Sequence, residues 1–211
     1  ILSVENLTLD ELTVSGACRK YGTILAYDAD FNDAIWPYLT VRNTTFSGNL
    51  CAAQDASSGA IFSDFTRVLI ENSTFSGNSG YRGGAVNVWN GYLTVSASTF
   101  SGNATSFYGA AIQASYNYKL EISGSTISNN TAGLAGGGVY SYFADGPFTL
   151  LNSLVTGNSA GYAGGGIAAY KFLSNLNGPL PAHQPAAYWL ERPTQQPQPR
   201  AEVTEPVCQS T

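Results

Sequence analysis

A four-residue element, Phe-Ser-Gly-Asn, returns along this chain at a nearly constant interval, and that repeat constrains the fold more than any other feature. The element begins at Phe46, Phe75 and Phe100, and in altered form at Ile127 and Val155. These starts lie 29, 25, 27 and 28 residues apart. A fixed period in the twenties is typical of a solenoid, in which each repeat stacks on the one before it.

Two further elements share this period. A small, glycine-rich step ending in a β-branched residue follows the Asn, as at residues 84–86, and a short apolar segment precedes the Phe, as at residues 93–95. Three short apolar or alternating segments per repeat, separated by Gly, Asn and Ser, predict three short strands joined by turns. Since no repeat carries ten residues of helical periodicity, the sequence predicts an all-β parallel β-helix solenoid of about six coils.

The repeats divide the chain into two parts. Residues 1–173 are predicted to form the β-helix, with coils at about 1–38, 39–67, 68–92, 93–119, 120–147 and 148–173. The first coil is longer, because Val4, Leu9 and Ile24 each lie 37 residues before a residue of matching type, at positions 41, 46 and 61. Its additional residues fall at 27–38.

Residues 174–211 form a proline-rich tail, which is predicted to be extended polyproline II or loop. Either it covers the open end of the last coil, through residues 187–190, or it connects subunits. The sequence has no initiator Met and no charged-then-apolar leader, so we expect a processed product or a fragment. No apolar run approaches 18 residues, and no membrane span is predicted.

One polar column is predicted to lie at a bend in every coil. Asn tolerates the left-handed backbone region, and amides stacked about 4.8 Å apart bond to one another along the axis. We therefore expect a structural ladder of Asn49, Asn78, Asn103, Asn130 and Asn158.

An acidic run in the longer first coil is the candidate metal site. Asp28, Asp30 and Asp33 offer several oxygens, the ligands that Ca²⁺ prefers. The run lacks the sixth-position glycine and the twelfth-position Glu of a calcium loop, and a solvated acidic loop is the alternative. No other cofactor is expected.

Two of the three cysteines, Cys18 and Cys51, are predicted to lie in equivalent turns of neighbouring coils, close enough to form a disulfide. Cys208 in the tail would then be unpaired or joined to another chain. The alternative is three free thiols in a reducing compartment.

Five N-glycosylation sequons favour an extracellular or cell-surface location. They begin at Asn6, Asn43, Asn72, Asn103 and Asn129. The 37-residue offset puts the first three in one column, which would crowd their glycans, and Asn103 also belongs to the bend column. We therefore expect only some of these sequons to be modified.

Aromatic residues recur on both sides of the third strand of each repeat and form a candidate binding surface. It comprises Tyr81, Trp89, Phe107, Tyr142, Tyr162 and Tyr170. Exposed stripes of this kind stack on sugar rings or dock a neighbouring subunit, whereas inward-pointing ones only pack. A regular threonine face of the ice-binding kind is not expected, because Thr40, Thr94 and Thr149 skip coils.

The paired motifs resemble a known family. Phe-Ser-Gly-Asn followed by Gly-Gly-Ala-Val at residues 83–86 is similar to the FxxN and GGA[ILV] motifs of the polymorphic outer membrane protein (Pmp) repeat. Ile127 and Val155 depart from the Phe of that pattern. The resemblance covers residues 39–170 and implies a right-handed parallel β-helix at a cell surface, used in adhesion or as a spacer. Such repeats also occur in algal extracellular proteins, including flagellar hairs.

These observations predict a non-catalytic structural or adhesive module of a cell-surface assembly or filament. Polysaccharide enzymes of the same architecture need clustered carboxylates, Ca²⁺ or a catalytic cation, and the predicted outward positions carry no such cluster. The single histidine, His183, lies in the tail. A net charge of −5 excludes the basic face that nucleic acid requires. Expected partners are further copies of the chain, other surface proteins or glycans, and the alternative function is a carbohydrate-binding or polysaccharide-processing β-helix.

Overall fold

The computed structural model describes residues 6–17, 21–28, 36–51, 58–170 and 202–203. These residues form 23 short strands and no helix. The strands of successive repeats pair in parallel with their equivalents, at residue offsets that follow the sequence period. The protein is therefore an all-β parallel solenoid, as the repeat predicted.

The strands form four sheets that run along the axis. The first sheet comprises β1 (Asn6–Asp10), β4 (Tyr38–Arg42), β7 (Arg67–Glu71), β11 (Tyr92–Ser96), β15 (Lys119–Ser123) and β19 (Phe148–Leu151). The second comprises β2 (Thr13–Ser15), β5 (Thr45–Ser47), β8 (Thr74–Ser76), β12 (Thr99–Ser101), β16 (Thr126–Ser128), β20 (Leu154–Thr156) and β23 (Glu202–Val203).

In the last four coils, the third sheet follows a short connecting sheet. It comprises β3 (Ile24–Tyr27), β6 (Ile61–Asp64), β10 (Val86–Trp89), β14 (Ile112–Ser115), β18 (Val139–Tyr142) and β22 (Ile167–Tyr170). The connecting, or fourth, sheet comprises β9 (Ser79–Gly80), β13 (Ala104–Thr105), β17 (Thr131–Ala132) and β21 (Ser159–Ala160).

Apolar side chains stack in columns inside the coil. In the first sheet, Val41, Ile70, Val95 and Ile122 pair in register and are fully buried. In the second sheet, the Phe75 ring stacks on Phe46 and on Phe100, with ring centroids 4.9 and 4.7 Å apart. Because strands alternate their side chains, the residues between these positions point outward.

The asparagine column forms a continuous ladder. The Nδ2 atoms of Asn49, Asn78, Asn103 and Asn130 each donate to the Oδ1 of the next ladder Asn, at 2.8, 3.0, 2.9 and 2.7 Å. The left-handed bend expected at these residues belongs instead to the residue before each of them, as at Gly77 with a φ of 60°. The ladder Asn thus keeps its side chain inside while the preceding residue makes the turn, a glycine in four coils and Asn129 in the fifth.

A second polar ladder precedes the Phe column and was not predicted. Ser73, Ser98, Ser125 and Ser153 are buried, and each accepts a hydrogen bond from a backbone N–H of the coil before it, at 3.1–3.2 Å. Each hydroxyl also donates to the carbonyl two residues earlier in its own coil. The interior is therefore stabilised by buried hydrogen bonds as well as by apolar packing.

The predicted register of the first coil is wrong in two of its sheets. Leu9 pairs with Val41 and Val14 with Phe46, an offset of 32 residues, whereas Ile24 pairs with Ile61 as predicted. The difference arises because 15 positions separate residues 46 and 61 but only 10 separate residues 14 and 24. The insertion that lengthens the second coil at this point was therefore misread as a shift of the first two strands of the first coil.

A strand from the tail extends the second sheet beyond the last coil. Glu202 pairs with Leu154 and Val203 with Val155, in parallel. Residues 187–190, which were predicted to cover that end, lie outside the described residues. Within the described part of the chain, one short strand, β23, covers this end of the second sheet.

Candidate functional site

The outward side of the third sheet concentrates aromatic and amide side chains, and we call it the aromatic face. Its strand residues are Asn87, Trp89, Gln113, Ser115, Tyr140, Tyr142 and Tyr170. The preceding turns add Arg82 and Tyr108, and the following corner adds Tyr116. The outward side chains of Asn87, Gln113, Ser115 and Tyr140 are buried, which is unusual for the exterior of a solenoid.

This burial arises because the turn before each strand folds against the outward column. Gly83, Gly109, Gly136 and Gly164 all have φ between 58° and 66°. A Cβ on Gly109 would lie 2.8 Å from the Cα of Gln113, and one on Gly136 would lie 2.8 Å from the Cβ of Tyr140. Glycine is therefore required at these turns both for its backbone angle and for the close approach.

The rings of the aromatic face contact one another across coils. Tyr108 stacks on Tyr140 with ring centroids 4.5 Å apart. Tyr142 lies 5.6 Å from Tyr116 and 5.9 Å from Tyr170, and Trp89 lies 6.2 Å from Tyr116. These contacts form a continuous aromatic surface that follows the axis from the third repeat to the last.

The phenol and amide groups of the face are neutral hydrogen-bonding groups, and Arg82 is the charged group beside them. Burial, with smaller contributions from Tyr108, Tyr142 and Tyr170, raises the pKa of the Tyr140 phenol, and the nearby charge of Arg82 opposes this only in part. Burial likewise raises the pKa of Tyr142. Gln113 donates from Nε2 to the Oγ of Ser115 at 3.2 Å. The face therefore offers phenol, amide and hydroxyl groups for hydrogen bonding.

The structure brings together only half of the predicted binding surface. Trp89, Tyr142 and Tyr170 lie on the aromatic face in one column. Tyr81 and Phe107 pack on each other with centroids 4.2 Å apart, on the turn beside it. Tyr162 is 83% exposed. The predicted surface left out Tyr108, Tyr116 and Tyr140, although Tyr140 alternates with Tyr142 along its strand and so points to the same side.

The predicted metal site is only partly covered by the structure. Asp28 is described and half-buried, whereas Asp30 and Asp33 lie outside the described residues. Within the described ranges, no group of three His, Cys, Asp or Glu side chains is placed to hold a metal ion. Calcium binding by the acidic run stays a prediction.

The structure tests the predicted disulfide and the predicted glycosylation sites to different extents. Cys51 is disulfide-bonded, and since Cys18 and Cys208 lie outside the described residues, the pairing of Cys18 with Cys51 stays a prediction.

Asn43, Asn72 and Asn129 are exposed. Asn6 is also exposed, and because it pairs with Tyr38, it does not share a column with Asn43. Asn103 is buried in the ladder, which leaves no room for a glycan on its amide.

A second outward surface, on the second sheet, carries hydroxyl groups in two columns, and we call it the hydroxyl face. One column is Thr13, Thr45, Thr74, Thr99 and Thr126, ending at Leu154. The other is Ser15, Ser47, Ser76, Ser101 and Ser128, ending at Thr156. The expectation that threonines skip coils holds for the first sheet but is wrong for this one, where the Thr before each Phe was overlooked.

The stacked coils form an elongated parallel β-solenoid. Among the described residues, no helix is long and apolar enough to cross a membrane. Residues 1–176 match the family described as the right-handed β-helix region, and the chain belongs to that family. No curated protein and no solved structure matches the chain. The family assignment covers the solenoid and leaves the Pmp-type resemblance as a more specific hypothesis.

Proposed function

We propose that this protein is a non-catalytic, extracellular β-helix module that serves as a rigid structural or adhesive element of a cell-surface assembly or filament. The observation that carries the proposal is the continuity of the internal ladders. The asparagine ladder runs from Asn49 to Asn158 without interruption, and the apolar columns beside it are fully buried. A rod built in this way supports lateral contacts along its whole length.

The aromatic face is the proposed adhesive surface. Exposed aromatic rings supply large contact areas at low cost in side-chain entropy, and phenol and amide groups add direction. Trp89, Tyr116 and Tyr142 are each partly exposed there. Partners proposed for this surface are glycans, other surface proteins and further copies of the chain.

The described carboxylates favour a structural role over polysaccharide processing. Glu71 pairs with Arg42 at 3.1 Å, and Glu121 pairs with Lys119. Asp64 accepts a hydrogen bond from Asn90 at 2.9 Å. A glycosidase-type reaction needs two carboxyl groups facing one bond. Glu71 and Glu121 point outward from the first sheet but are each ion-paired, and Asp64 lies on the third sheet.

The experiment is an adhesion assay with a parallel test for turnover. Purified protein is presented on beads to cell-surface extracts and to a panel of insoluble polysaccharides, and soluble products are measured after long incubation. We expect retention without product. Retention that is unchanged when Trp89 and Tyr142 are both replaced by Ala would contradict the adhesive surface, and released oligosaccharides would contradict the non-catalytic proposal.

The extracellular location has its own test. Peptide mapping of native material by mass spectrometry should find Cys18 joined to Cys51 and glycan on at least one exposed sequon. Free thiols at both positions, with every sequon unmodified, would place the protein in a reducing compartment instead.

A second candidate function, ice binding, is favoured by the hydroxyl face. Hydroxyls repeat there about 4.8 Å apart along the axis and about 7 Å apart across each strand, close to the intervals between oxygens on a prism face of ice. In the central coils, Thr74, Thr99 and Thr126 make no side-chain hydrogen bond to other described residues. A charge-free array of this kind is suited to bind ordered water.

Ice binding is tested by thermal hysteresis and by inhibition of ice recrystallisation. Thr99→Lys, in the centre of the array, should abolish both if the hydroxyl face binds ice. Thr94→Lys is the matched control, because Thr94 points outward from the neighbouring first sheet, between Leu69 and Glu121. Equal activity of the two variants, or no activity in the unmodified protein, would reject this candidate.

A further inference from the structure

We propose that Tyr92 and Tyr118 form an oxidative modification site, at which a one-electron oxidant joins the two rings into dityrosine and so bonds neighbouring coils covalently. The rings stack across these coils, with centroids 5.6 Å apart and planes inclined by 22°. Offset stacking brings ring edges together, and the ortho carbons that couple lie at those edges. The inference goes beyond the proposed function and does not depend on any partner of the aromatic face.

The backbone and a buried indole hold the two rings at one corner of the solenoid, where the first sheet begins. Tyr92 is the first residue of β11 and pairs with Lys119, so Tyr118 lies beside Gly91, whose carbonyl accepts the Tyr118 N–H at 2.9 Å. Gly91 has no side chain to separate the rings. Trp36 is buried and contacts both, with centroids 5.3 Å from Tyr92 and 5.0 Å from Tyr118.

One ring of the pair is open to an oxidant. Tyr118 is 41% exposed, whereas Tyr92 is half-buried. Thiols and thioethers are the side chains that oxidants modify most readily. The sequence contains 13 Tyr and no Met, and Cys51 is already disulfide-bonded. Oxidising equivalents that reach the described surface therefore fall on aromatic rings.

The other stacked tyrosine pairs among the described residues are less suited to radical formation. Each of them includes Tyr140 or Tyr142: Tyr108 with Tyr140, Tyr140 with Tyr142, and Tyr142 with Tyr170. Burial raises the pKa of both the Tyr140 and the Tyr142 phenols, and Tyr140 is only 8% exposed. A phenol that forms a neutral radical loses its proton, and these two phenols resist that loss.

Arg67 separates Tyr92 from the other exposed tyrosine of its column. Tyr38, Arg67 and Tyr92 pair in register on successive strands. The Cζ of Arg67 lies 5.5 Å from the Tyr38 centroid and 4.9 Å from the Tyr92 centroid, and its Nη1 donates to the Tyr38 hydroxyl at 3.2 Å. Tyr38 thus contacts a guanidinium in this column, which leaves Tyr118 as the phenol partner of Tyr92.

The coupling balances with hydrogen peroxide as the oxidant, used by a haem peroxidase. Each phenol gives up one electron and its hydroxyl proton, and the two phenoxyl radicals form one carbon–carbon bond between ortho carbons. The ring hydrogens at that bond leave as protons and the phenolic oxygens are protonated again, so both rings return to phenols. Two tyrosines and one peroxide give one dityrosine and two waters.

The experiment treats dilute, purified protein with a haem peroxidase and limiting hydrogen peroxide, and isolates the monomer by size exclusion. Dityrosine fluorescence reports the product, and peptide mapping by mass spectrometry locates it through the loss of two hydrogens. We expect the peptides that contain Tyr92 and Tyr118 to be joined, and Tyr118→Phe to lose this product.

The cross-link should also stabilise the fold. The two residues lie 26 positions apart, so the new bond restricts the unfolded chain in the way that a disulfide does. The cross-linked monomer should melt about 5–10 °C above the untreated protein. Tyr118→Phe, treated with the same reagents, should show no such gain.

Tyr116 supplies a matched control. It is 40% exposed and stacks on Phe143 with the same geometry as the proposed pair, at 5.6 Å and 22°, but Phe143 has no phenol. Tyr116→Phe should therefore leave the cross-link between Tyr92 and Tyr118 unchanged. Phe143→Tyr completes a second stacked pair of phenols and should add a cross-link between residues 116 and 143.

Several outcomes would overturn the inference. These are products formed only between molecules, a cross-link at tyrosines other than Tyr92 and Tyr118, a dityrosine yield that Tyr118→Phe leaves intact, and a cross-linked monomer whose melting temperature is unchanged. Phe143→Tyr protein that gains no second cross-link would show that stacking does not select the pair. The adhesion assay is unaffected by these results, so the inference and the proposed function fail separately.

Discussion

Asn78 donates from its side-chain nitrogen to the Oδ1 of Asn103 over 3.0 Å, and both amides are buried. The Nδ2 of Asn103 in turn donates to the Oδ1 of Asn130 and to the carbonyl of Phe75. Each amide thus ties together three successive coils. Loss of one amide therefore affects its neighbours on both sides.

Replacing Asn103 by Ala should destabilise the protein by about 3 kcal/mol, since it leaves the buried backbone N–H of Asn78 without its acceptor and removes the hydrogen bonds that Asn103 makes with the Asn78 side chain and the Phe75 carbonyl. Urea unfolding followed by circular dichroism measures the change. Asn129→Gly is the control, because Asn129 is exposed and has a φ of 55°, which glycine adopts readily. An equal loss in both variants would mean that the ladder contributes nothing specific.

The phenylalanine stack should tolerate shape-conserving change but not truncation. Phe100 is fully buried and stacks on Phe75 with an interplanar angle of 1°. Phe100→Ala should cost about 3–5 kcal/mol by opening a cavity. Phe100→Ile should cost less than about 2 kcal/mol, because Ile127 already occupies the next position of this column. Equal unfolding midpoints for the two variants would contradict the account.

The tail strand should protect the last coil of the second sheet. Val155 is fully buried, and the tail residues 202–203 pair with β20 at its otherwise open edge. Deleting residues 201–211 should therefore speed hydrogen exchange in the peptide containing residues 154–156 and promote self-association in sedimentation experiments. Deleting only residues 205–211 is the control and should leave both measurements unchanged. Unchanged exchange in the longer deletion would show that the strand does not protect this edge.

The sequence predicted the repeating part of the fold because every coil carries residues of the same type at the same inward positions. It did not reveal the register of the first coil, since an insertion between residues 46 and 61 of one coil and a shifted strand in another give similar spacings. It also did not reveal the aromatic face in full. Burial of Gln113 and Tyr140 depends on the glycine turn that folds over them, and no local pattern encodes that contact.

The polar columns show the same limit. The asparagine ladder was predictable because one residue type recurs in five coils. The second polar ladder begins at Thr44 and continues with serines, two of its first members, Thr44 and Ser73, lie in sequons, and it was overlooked. The hydroxyl face was overlooked because its Thr and Ser flank the Phe that drew attention. These columns contain similar residue types and can be told apart only by the register in which the strands pair.

Glycan occupancy should follow exposure and crowding. Asn72 donates from Nδ2 to the Oδ1 of Asn43 at 2.6 Å, so two glycans there would occupy the same space. We expect at most one of this pair to be modified in any molecule, and no modification of the buried Asn103. Intact glycopeptide mass spectrometry distinguishes these cases. A single peptide carrying glycans on both Asn43 and Asn72, or any glycan on Asn103, would contradict the register described for this corner.

Asp64 should make the protein less stable at neutral pH than at acidic pH. Burial raises the pKa of this carboxyl, and the hydrogen bonds from Asn90 and from the backbone of Phe65 offset only part of the effect. The folded state therefore favours the protonated acid, and the resulting stabilisation is complete below the ordinary pKa and is lost as the pH rises through the raised value.

Asp64→Asn keeps the acceptor for Asn90 and removes the charge, so it should raise the unfolding midpoint at pH 7 and have little effect at pH 3. Asp10→Asn is the matched control, since Asp10 also accepts an amide, from Asn43 at 2.9 Å, but is exposed. A gain for Asp64→Asn that is the same at both pH values would show that its charge is not the cause.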